Sequence, residues 1–106
     1  MTTKKQKTSA THKLLERISG KRLTLGNLLL AIREGEEMTQ VEFAKLLGIS
    51  NRYLCDLEHA RRFASPSAAE EYAKKLGYSS QQFVRLCLQD LMEREGIHFI
   101  VDVKAA

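Results

Sequence analysis

A short polar stretch near the middle of the chain carries the side chains best suited to reading nucleic-acid bases. It contains Asn51, Arg52, Tyr53 and Asp56. A guanidinium forks to the two acceptors of guanine and an amide bonds adenine or a phosphate, so Arg52 and Asn51 have the chemistry of base recognition. The ring of Tyr53 fits against a sugar or a thymine methyl group. The sequence therefore predicts a base-reading surface, provided that one helix presents these side chains together.

Asp56 has two interpretations. Its carboxylate accepts a hydrogen bond from cytosine in the first of them, although a negative charge is unfavourable beside DNA phosphates. In the second, Asp56 orients Arg52, which lies four residues earlier on the same helix face. The sequence leaves both open.

Residues 39–60 would position these side chains. Thr39 and Glu42 have the spacing of a capping box, and Gly48 stands where a left-handed residue ends a helix. Ser50 then caps a second amphipathic helix that runs to about residue 59. Two short helices joined by a glycine-containing turn predict a helix-turn-helix, whose second helix enters the major groove N-terminus first.

Residues 25–77 resemble the DNA-binding domain of the Cro/phage-repressor family, the XRE class of helix-turn-helix proteins. Two positions depart from the family pattern. Ala60 stands where the family usually has glycine, and Ala64 where it often has proline. Both lie at helix ends, so they affect loop geometry rather than the DNA face. The matching residues are Thr39-Gln40, Phe43-Ala44, Leu47-Gly48-Ile49-Ser50, Leu54, and Leu57-Glu58 followed by a basic loop.

The resemblance implies contacts with DNA phosphates. It implies that Gln40 bonds a phosphate and braces the recognition helix, where a side-chain amide adds donors to backbone N–H groups already aimed at an anion. Arg61 and Arg62 lie in the loop with which the family contacts the phosphate backbone. Thr39 and Ser50, at the two helix starts, complete the expected phosphate set.

The resemblance also implies a structural ion pair. Arg33 lies at the end of the first helix of the domain and Glu58 late in the recognition helix. We expect them to meet in partial burial and to orient the recognition helix without touching DNA.

The positive charge of the chain is unevenly placed. The net charge is +4, but residues 1–22 carry seven basic residues and one acidic residue, so the remainder has a net charge of −2. The basic character of the whole chain is therefore weak support for nucleic-acid binding, and the local arrangement of charges matters more.

Other classes of protein receive no support from the sequence. Cys55 and Cys87 have no metal-ligand spacing, the histidines lie in separate elements, and no nucleophile elbow or phosphate-cradling glycine run occurs. We expect no enzyme, metal or cofactor. The absence of a signal peptide or a membrane-length apolar run predicts a cytoplasmic protein with free thiols.

The expected fold is all-α. Residues 1–22 form a basic tail and a short helix that Thr11 caps, and residues 23–95 form the five-helix domain. Within that domain we predict a first helix over residues 25–34 that Gly35 ends. A later helix begins at Ser65-Pro66 and a last one after Ser79 or Ser80. Residues 1–10 are either a disordered tail or an arm that lies along DNA phosphates.

Residues 96–106 form a separate terminal segment. Its β-branched and aromatic residues predict a strand over residues 97–103. One strand cannot satisfy its own backbone groups, so we expect antiparallel pairing with the same strand of a second subunit. The alternative is a tail folded over the helices. The expected dimer contacts are Leu88, Leu91, Ile97, Phe99 and Val101.

Three functions compete at this stage. The first is a homodimeric regulator that binds double-stranded DNA and represses a promoter by occupying it. The second is a HigA-like antitoxin, which binds its operator and a protein toxin. The third is a protein-interaction module that kept the fold and lost DNA binding, against which Gln40, Arg52 and the Arg61-Arg62 loop argue.

Overall fold

The protein is described by a computed structural model that covers residues 23–106. The expected tail over residues 1–10 and the helix capped by Thr11 lie outside the described residues. Within residues 23–106 the chain forms helices and no strand, which confirms the predicted helical domain. The helices are α1 (Leu25–Gly35), α2 (Gln40–Leu47), α3 (Asn51–Glu58), α4 (Pro66–Leu76) and α5 (Ser80–Arg94).

A hydroxyl side chain caps the start of every one of these helices. Each of the five oxygens accepts a hydrogen bond from the backbone N–H three residues later, at 3.0 to 3.2 Å, which satisfies a donor that the helix itself cannot pair. Glu42 returns a bond to the backbone N–H of Thr39 and completes the predicted capping box. The capping residues are Thr24, Thr39, Ser50, Ser65 and Ser79.

The C-terminal ends of the helices agree less well with the sequence-based predictions than the starts do. Gly48 is left-handed at φ +77°, as predicted for the turn between α2 and α3. Gly35 is the last residue of α1, as predicted, but it is helical, and the left-handed residue is Glu37 at φ +58°. The half-buried Met38 packs against the core and its N–H donates to the carbonyl of Arg33 at 3.0 Å, so this contact sets where the helix closes.

The core lies where α1, α3, α4 and α5 converge, with α2 against α3 and α4. Helix α5 differs from the expected wide apolar face. Leu88 is only half-buried and Leu91 is 43% exposed, whereas the polar Gln89 and Asp90 are buried. Asp90 Oδ2 accepts a hydrogen bond from the backbone N–H of Leu25 at 3.1 Å, and its negative charge stabilises the start of α1. The fully buried large side chains are Leu28, Leu29, Phe43, Leu47, Leu54, Phe83 and Leu86.

The C-terminal segment, residues 97–106, does not contain the predicted strand. A strand needs a second extended chain beside it. Among the described residues this segment has instead α5, whose Met92 carbonyl accepts from the N–H of Ile97 at 3.0 Å and whose side chains hold the residues that follow. Gln89 binds the backbone of Phe99 and Val101, and the amide of Gln81 donates to the carbonyl of Val103. The segment therefore lies along α5, and its pairing with a second chain stays a prediction.

Candidate nucleic-acid interface

Helix α3 presents its first turn to solvent. Ser50 caps it, and Leu54 and Leu57 fix its inner face in the core at 0% and 4% exposure. Asn51 and Arg52 are exposed, as a base-reading role requires, although no described contact tests that role. The amphipathic pattern of this helix thus places the amide and the guanidinium side by side on the outer face.

Tyr53 is less available than its neighbours. It is half-buried and packs against the core. Its hydroxyl is hydrogen-bonded to Tyr72, whose burial raises the pKa of that phenol to about 12. The guanidinium of Arg62 lies 5.8 Å from the centre of the Tyr53 ring, a cation–π distance. Tyr53 therefore contacts both the core and, through Arg62, the loop after α3, and it also lies next to the outer face of α3.

The expected pair of Arg33 and Glu58 is present. Arg33 Nε lies 2.7 Å from Glu58 Oε2, and Arg33 Nη2 lies 3.2 Å from Oε1. The Glu58 side chain is fully buried, and its hydrogen bond raises the pKa of the Arg33 guanidinium. Arg33 Nη1 also donates to the carbonyl of Met38 at 3.0 Å, so the pair joins α1, the α1–α2 turn and α3.

Gln40 completes this cluster. Its Nε2 atom donates to Glu58 Oε1 at 2.9 Å. Gln40 is therefore in contact with the end of α3, which is the bracing position that the resemblance implied. Its contact with a phosphate is untested. With Arg33 and Gln40 around it, the buried Glu58 carboxylate has partners for both oxygens, as a buried charge requires.

Helix α1 approaches α3 closely at Gly26. A Cβ atom at Gly26 would lie 2.1 Å from the carbonyl oxygen of Leu57, well inside any real contact distance. Only glycine fits where α1 crosses the end of α3. The sequence contains no local signal for this requirement, because Gly26 lies inside a helix and 31 positions from Leu57.

Asp56 lies near the end of α3, and its side chain binds the loop that follows the helix. Its side chain is 12% exposed, and its carboxylate oxygens lie 2.8 Å from Arg61 Nε and 3.4 Å from Arg62 Nε. The hydrogen bond from Arg61 lowers the pKa of Asp56. This differs from the expected interaction with Arg52, because the chain turns back after α3 and brings the two loop arginines onto the carboxylate. The backbone N–H groups of Arg61 and Arg62 also donate to the carbonyl of Asp56.

The loop itself depends on a strained residue. Ala60 has φ +58°, in the left-handed region that disfavours any residue with a Cβ. This is the position where the family usually has glycine. The strained turn leaves the side chains of Arg61 and Arg62 57% and 63% exposed beside the outer face of α3.

The other expected phosphate contacts lie at helix starts. The hydroxyl oxygens of Thr39 and Ser50 accept from the backbone N–H groups of Glu42 and Tyr53. Each hydroxyl hydrogen remains able to donate to an anion. Both residues are exposed, and their DNA contacts stay predictions.

Metal and membrane chemistry find no support in the residues that the structure describes. No group of three His, Cys, Asp or Glu side chains there could hold a metal ion. None of the five helices is long and apolar enough to cross a membrane. Cys55 and Cys87 are free thiols, and burial raises the pKa of Cys87.

Comparison with known proteins agrees with this geometry. Residues 29–83, just over half of the chain, match a family described as helix-turn-helix. The match begins inside α1 and ends inside α5, so it contains the Arg33–Glu58 pair, the outer face of α3 and the loop arginines. No curated protein matches the chain significantly.

Proposed function

The chain belongs to the helix-turn-helix family of the Cro/repressor type, whose members bind DNA and regulate transcription, and from this premise we propose that it is a sequence-specific repressor that acts as a homodimer. In this proposal α3 lies in the major groove. Asn51 and Arg52 contact base edges there, and Tyr53 stands beside them. The protein would act in the cytoplasm.

One observation carries the proposal most strongly. The exposed first turn of α3 is attached to a rigid support at its other end, where Glu58 is buried and bonded to Arg33 and Gln40. A helix that is fixed at its C-terminus and exposed at its N-terminus is arranged to offer Asn51 and Arg52 to a partner without losing its own fold.

The phosphate contacts would surround this turn. Thr39 and Ser50 donate hydroxyl hydrogens, and Gln40 adds an amide at the start of α2. Arg61 and Arg62 supply positive charge on the other side of α3, where both side chains are exposed. There they would contact the phosphates of the DNA backbone. Such contacts fix the position of the protein on the duplex and leave base choice to α3.

Repression is the simplest outcome of this arrangement. The described residues contain no separate domain for a regulatory ligand, and occupation of a promoter requires only binding. A homodimer would read two half-sites about 34 Å apart, one helical turn of DNA.

Selection of bound sequences from a random pool of duplexes tests the proposal. We expect a palindromic site whose half-sites are about 10 base pairs apart. Binding should weaken steeply with salt, as phosphate contacts require. A protein that binds no duplex in a gel-shift assay even at low salt would exclude the regulator and leave the protein-interaction module.

The antitoxin remains the second candidate, because apolar side chains of the C-terminal segment are exposed. Phe99 is 70% exposed and Ile100 90% exposed. If this surface binds a toxin, co-expression with the product of the adjacent gene should yield a stable complex and relieve the growth arrest that this product causes. Absence of both effects would leave the stand-alone repressor.

A further inference from the structure

A buried glutamine holds the C-terminal segment in a defined geometry. Gln89 is 4% exposed, although it lies on a surface helix. Its Nε2 atom donates to the carbonyl of Phe99 at 2.9 Å, and its Oε1 atom accepts from the N–H of Val101 at 2.8 Å. A residue of a parallel strand makes the same two bonds, through its own N–H and C=O groups, to the residues before and after the one beside it, which here is Ile100.

The two bonds define which edge of the segment faces α5. In an extended chain the N–H and C=O groups of successive residues point to opposite edges. The groups of Phe99 and Val101 point to Gln89, and the carbonyl of Val103, which accepts from Gln81, lies on the same edge. The opposite edge therefore carries the backbone groups of His98, Ile100 and Asp102. No other described residue pairs with them.

This outer edge matches a second copy of itself. Antiparallel pairing about a two-fold axis at Ile100 sets Ile100 opposite Ile100 of the second copy, and all residues that hydrogen-bond across the pair belong to the outer edge. The same register sets His98 opposite Asp102 twice, once on each side of the axis. A cation-forming side chain opposite a carboxylate stabilises a cross-strand pair.

Other registers fit less well. A shift by one residue sets an outer-edge residue opposite one whose backbone groups Gln89 already holds. A shift by two residues keeps the outer edges paired but sets an ionisable side chain opposite Ile100. Only the register centred on Ile100 uses the outer edge fully and sets His98 opposite Asp102 on both sides of the axis.

The apolar side chains of the segment also favour a second copy of the chain as its partner. Ile97, Phe99, Val101 and Val103 alternate with the outer-edge residues, so they share one face of the segment. In the proposed register Phe99 lies opposite Val101, and Ile97 opposite Val103. Phe99 and Ile97 are 70% and 40% exposed in the single chain, so pairing would place each beside an apolar neighbour.

We infer that residues 97–103 of two copies form a two-stranded antiparallel ribbon centred on Ile100, with Gln89 of each copy supporting its outer side. The inference rests on the homodimer of the proposed function and specifies its interface, its register and the residue that holds the segment. It does not depend on which DNA sequence is bound.

Cysteine cross-linking of the full chain tests the register. Two Ile100→Cys side chains would lie on the two-fold axis, where the Cα atoms of a hydrogen-bonded pair are about 5.5 Å apart, within disulfide range. Mild oxidation should convert this variant to a covalent dimer. The matched control, Ile97→Cys, faces Val103 instead of itself and should remain uncross-linked, as should the wild-type chain with its native cysteines.

Charge exchange gives an independent test. His98→Asp sets two carboxylates opposite each other on both sides of the axis, so we expect the dimer dissociation constant from sedimentation to rise by about tenfold. Adding Asp102→Lys restores opposite charges and should restore dimerisation. Both positions are exposed, so circular dichroism should show an unchanged fold.

The outcomes separate this inference from the proposed function. A monomer that still selects one DNA half-site would overturn the ribbon and leave base reading intact. A dimer that cross-links at Ile100→Cys but binds no DNA would overturn the DNA-binding function and leave the ribbon intact. A dimer insensitive to both tests, or one in which residues 1–22 cover the outer edge, would overturn the inference.

Discussion

The guanidinium of Arg33 and the carboxylate of Glu58 meet in two parallel hydrogen bonds of 2.7 and 3.2 Å. Glu58 is fully buried, whereas Arg33 is 15% exposed. The arginine lies in α1 and the glutamate is the last residue of the recognition helix. The pair therefore connects the support of the domain to the element that would read DNA.

Removal of Glu58 should affect stability more than recognition. In Glu58→Ala the guanidinium of Arg33 loses its partner in a largely buried site, and Gln40 loses its acceptor. We expect a loss of about 3 kcal/mol in the free energy of unfolding and a melting temperature lower by about 10 °C or more. Base preference should change little, because Asn51 and Arg52 remain.

Gln40→Ala is the matched control for this prediction. It removes one hydrogen bond to Glu58 and leaves the ion pair, so its cost should be about 1 kcal/mol. Thermal unfolding followed by circular dichroism measures both. An unchanged melting temperature for Glu58→Ala would show that the ion pair does not stabilise the domain.

Gly26 should tolerate no side chain. In Gly26→Ala the new Cβ would lie 2.1 Å from the carbonyl of Leu57, and backbone must move to relieve it. We expect a loss of about 1 to 3 kcal/mol, despite the higher helix propensity of alanine. DNA affinity should also fall, because the displaced residue belongs to α3.

Gly35 provides the comparison, since it lies in the same helix and a Cβ atom added there would meet no neighbouring atom within 4 Å. Gly35→Ala should raise the free energy of unfolding by up to about 1 kcal/mol. Equal effects of the two substitutions in urea unfolding would contradict a specific close approach at Gly26.

Much of this fold could be predicted because its signals are local. The caps at Thr39, Ser50 and Ser65 each depend on residues within three positions, and Gly48 marks its turn directly. The exposure of Asn51 and Arg52 follows from the apolar spacing of α3. Local hydrogen bonding and helix periodicity are sufficient for these predictions.

The contacts that sequence reasoning missed connect residues that are far apart in the chain or that are brought together by a turn. Asp90 lies 65 residues from the Leu25 N–H group that it binds, and Gln89 reads as a surface residue of α5. Arg61 reaches Asp56 only because Ala60 adopts a left-handed conformation that the residue type disfavours. Each depends on tertiary geometry that no local pattern encodes.

The left-handed Ala60 makes a stabilising substitution available. Ala60→Gly removes the steric penalty of a Cβ at positive φ, about 1 to 2 kcal/mol, and adds unfolded-state entropy that offsets part of it. We expect a net gain of about 0.5 to 1 kcal/mol and a higher melting temperature. Ala64→Gly, at a position whose φ is not positive, should give no gain in stability. A lower melting temperature for Ala60→Gly would show that Ala60 is not strained.

The arginines near Asp56 allow one of its two interpretations, the orientation of Arg52, to be tested. If Asp56 orients Arg52, the DNA-binding effects of Asp56→Asn and Arg52→Ala should depend on each other. The structure instead places Asp56 Oδ1 2.8 Å from Arg61 Nε. Asp56→Asn would then weaken the hold on Arg61 and leave Arg52 unaffected.

A double-mutant cycle on binding to the selected DNA site measures this directly. Arg61→Ala should reduce DNA affinity in both backgrounds. We expect the fold-loss to be smaller by a factor of about two in the Asp56→Asn background than in the wild type, because the hydrogen bond that positions the guanidinium is already missing there. The effects of Arg52→Ala and Asp56→Asn should be additive. Arg61→Ala should also lower the salt dependence of log K by about 0.9, the loss of one phosphate contact. Coupling to Arg52 instead would show that Asp56 orients Arg52. A changed base preference in Asp56→Asn alone would assign Asp56 to base reading, because a carboxylate committed to the loop has no access to cytosine.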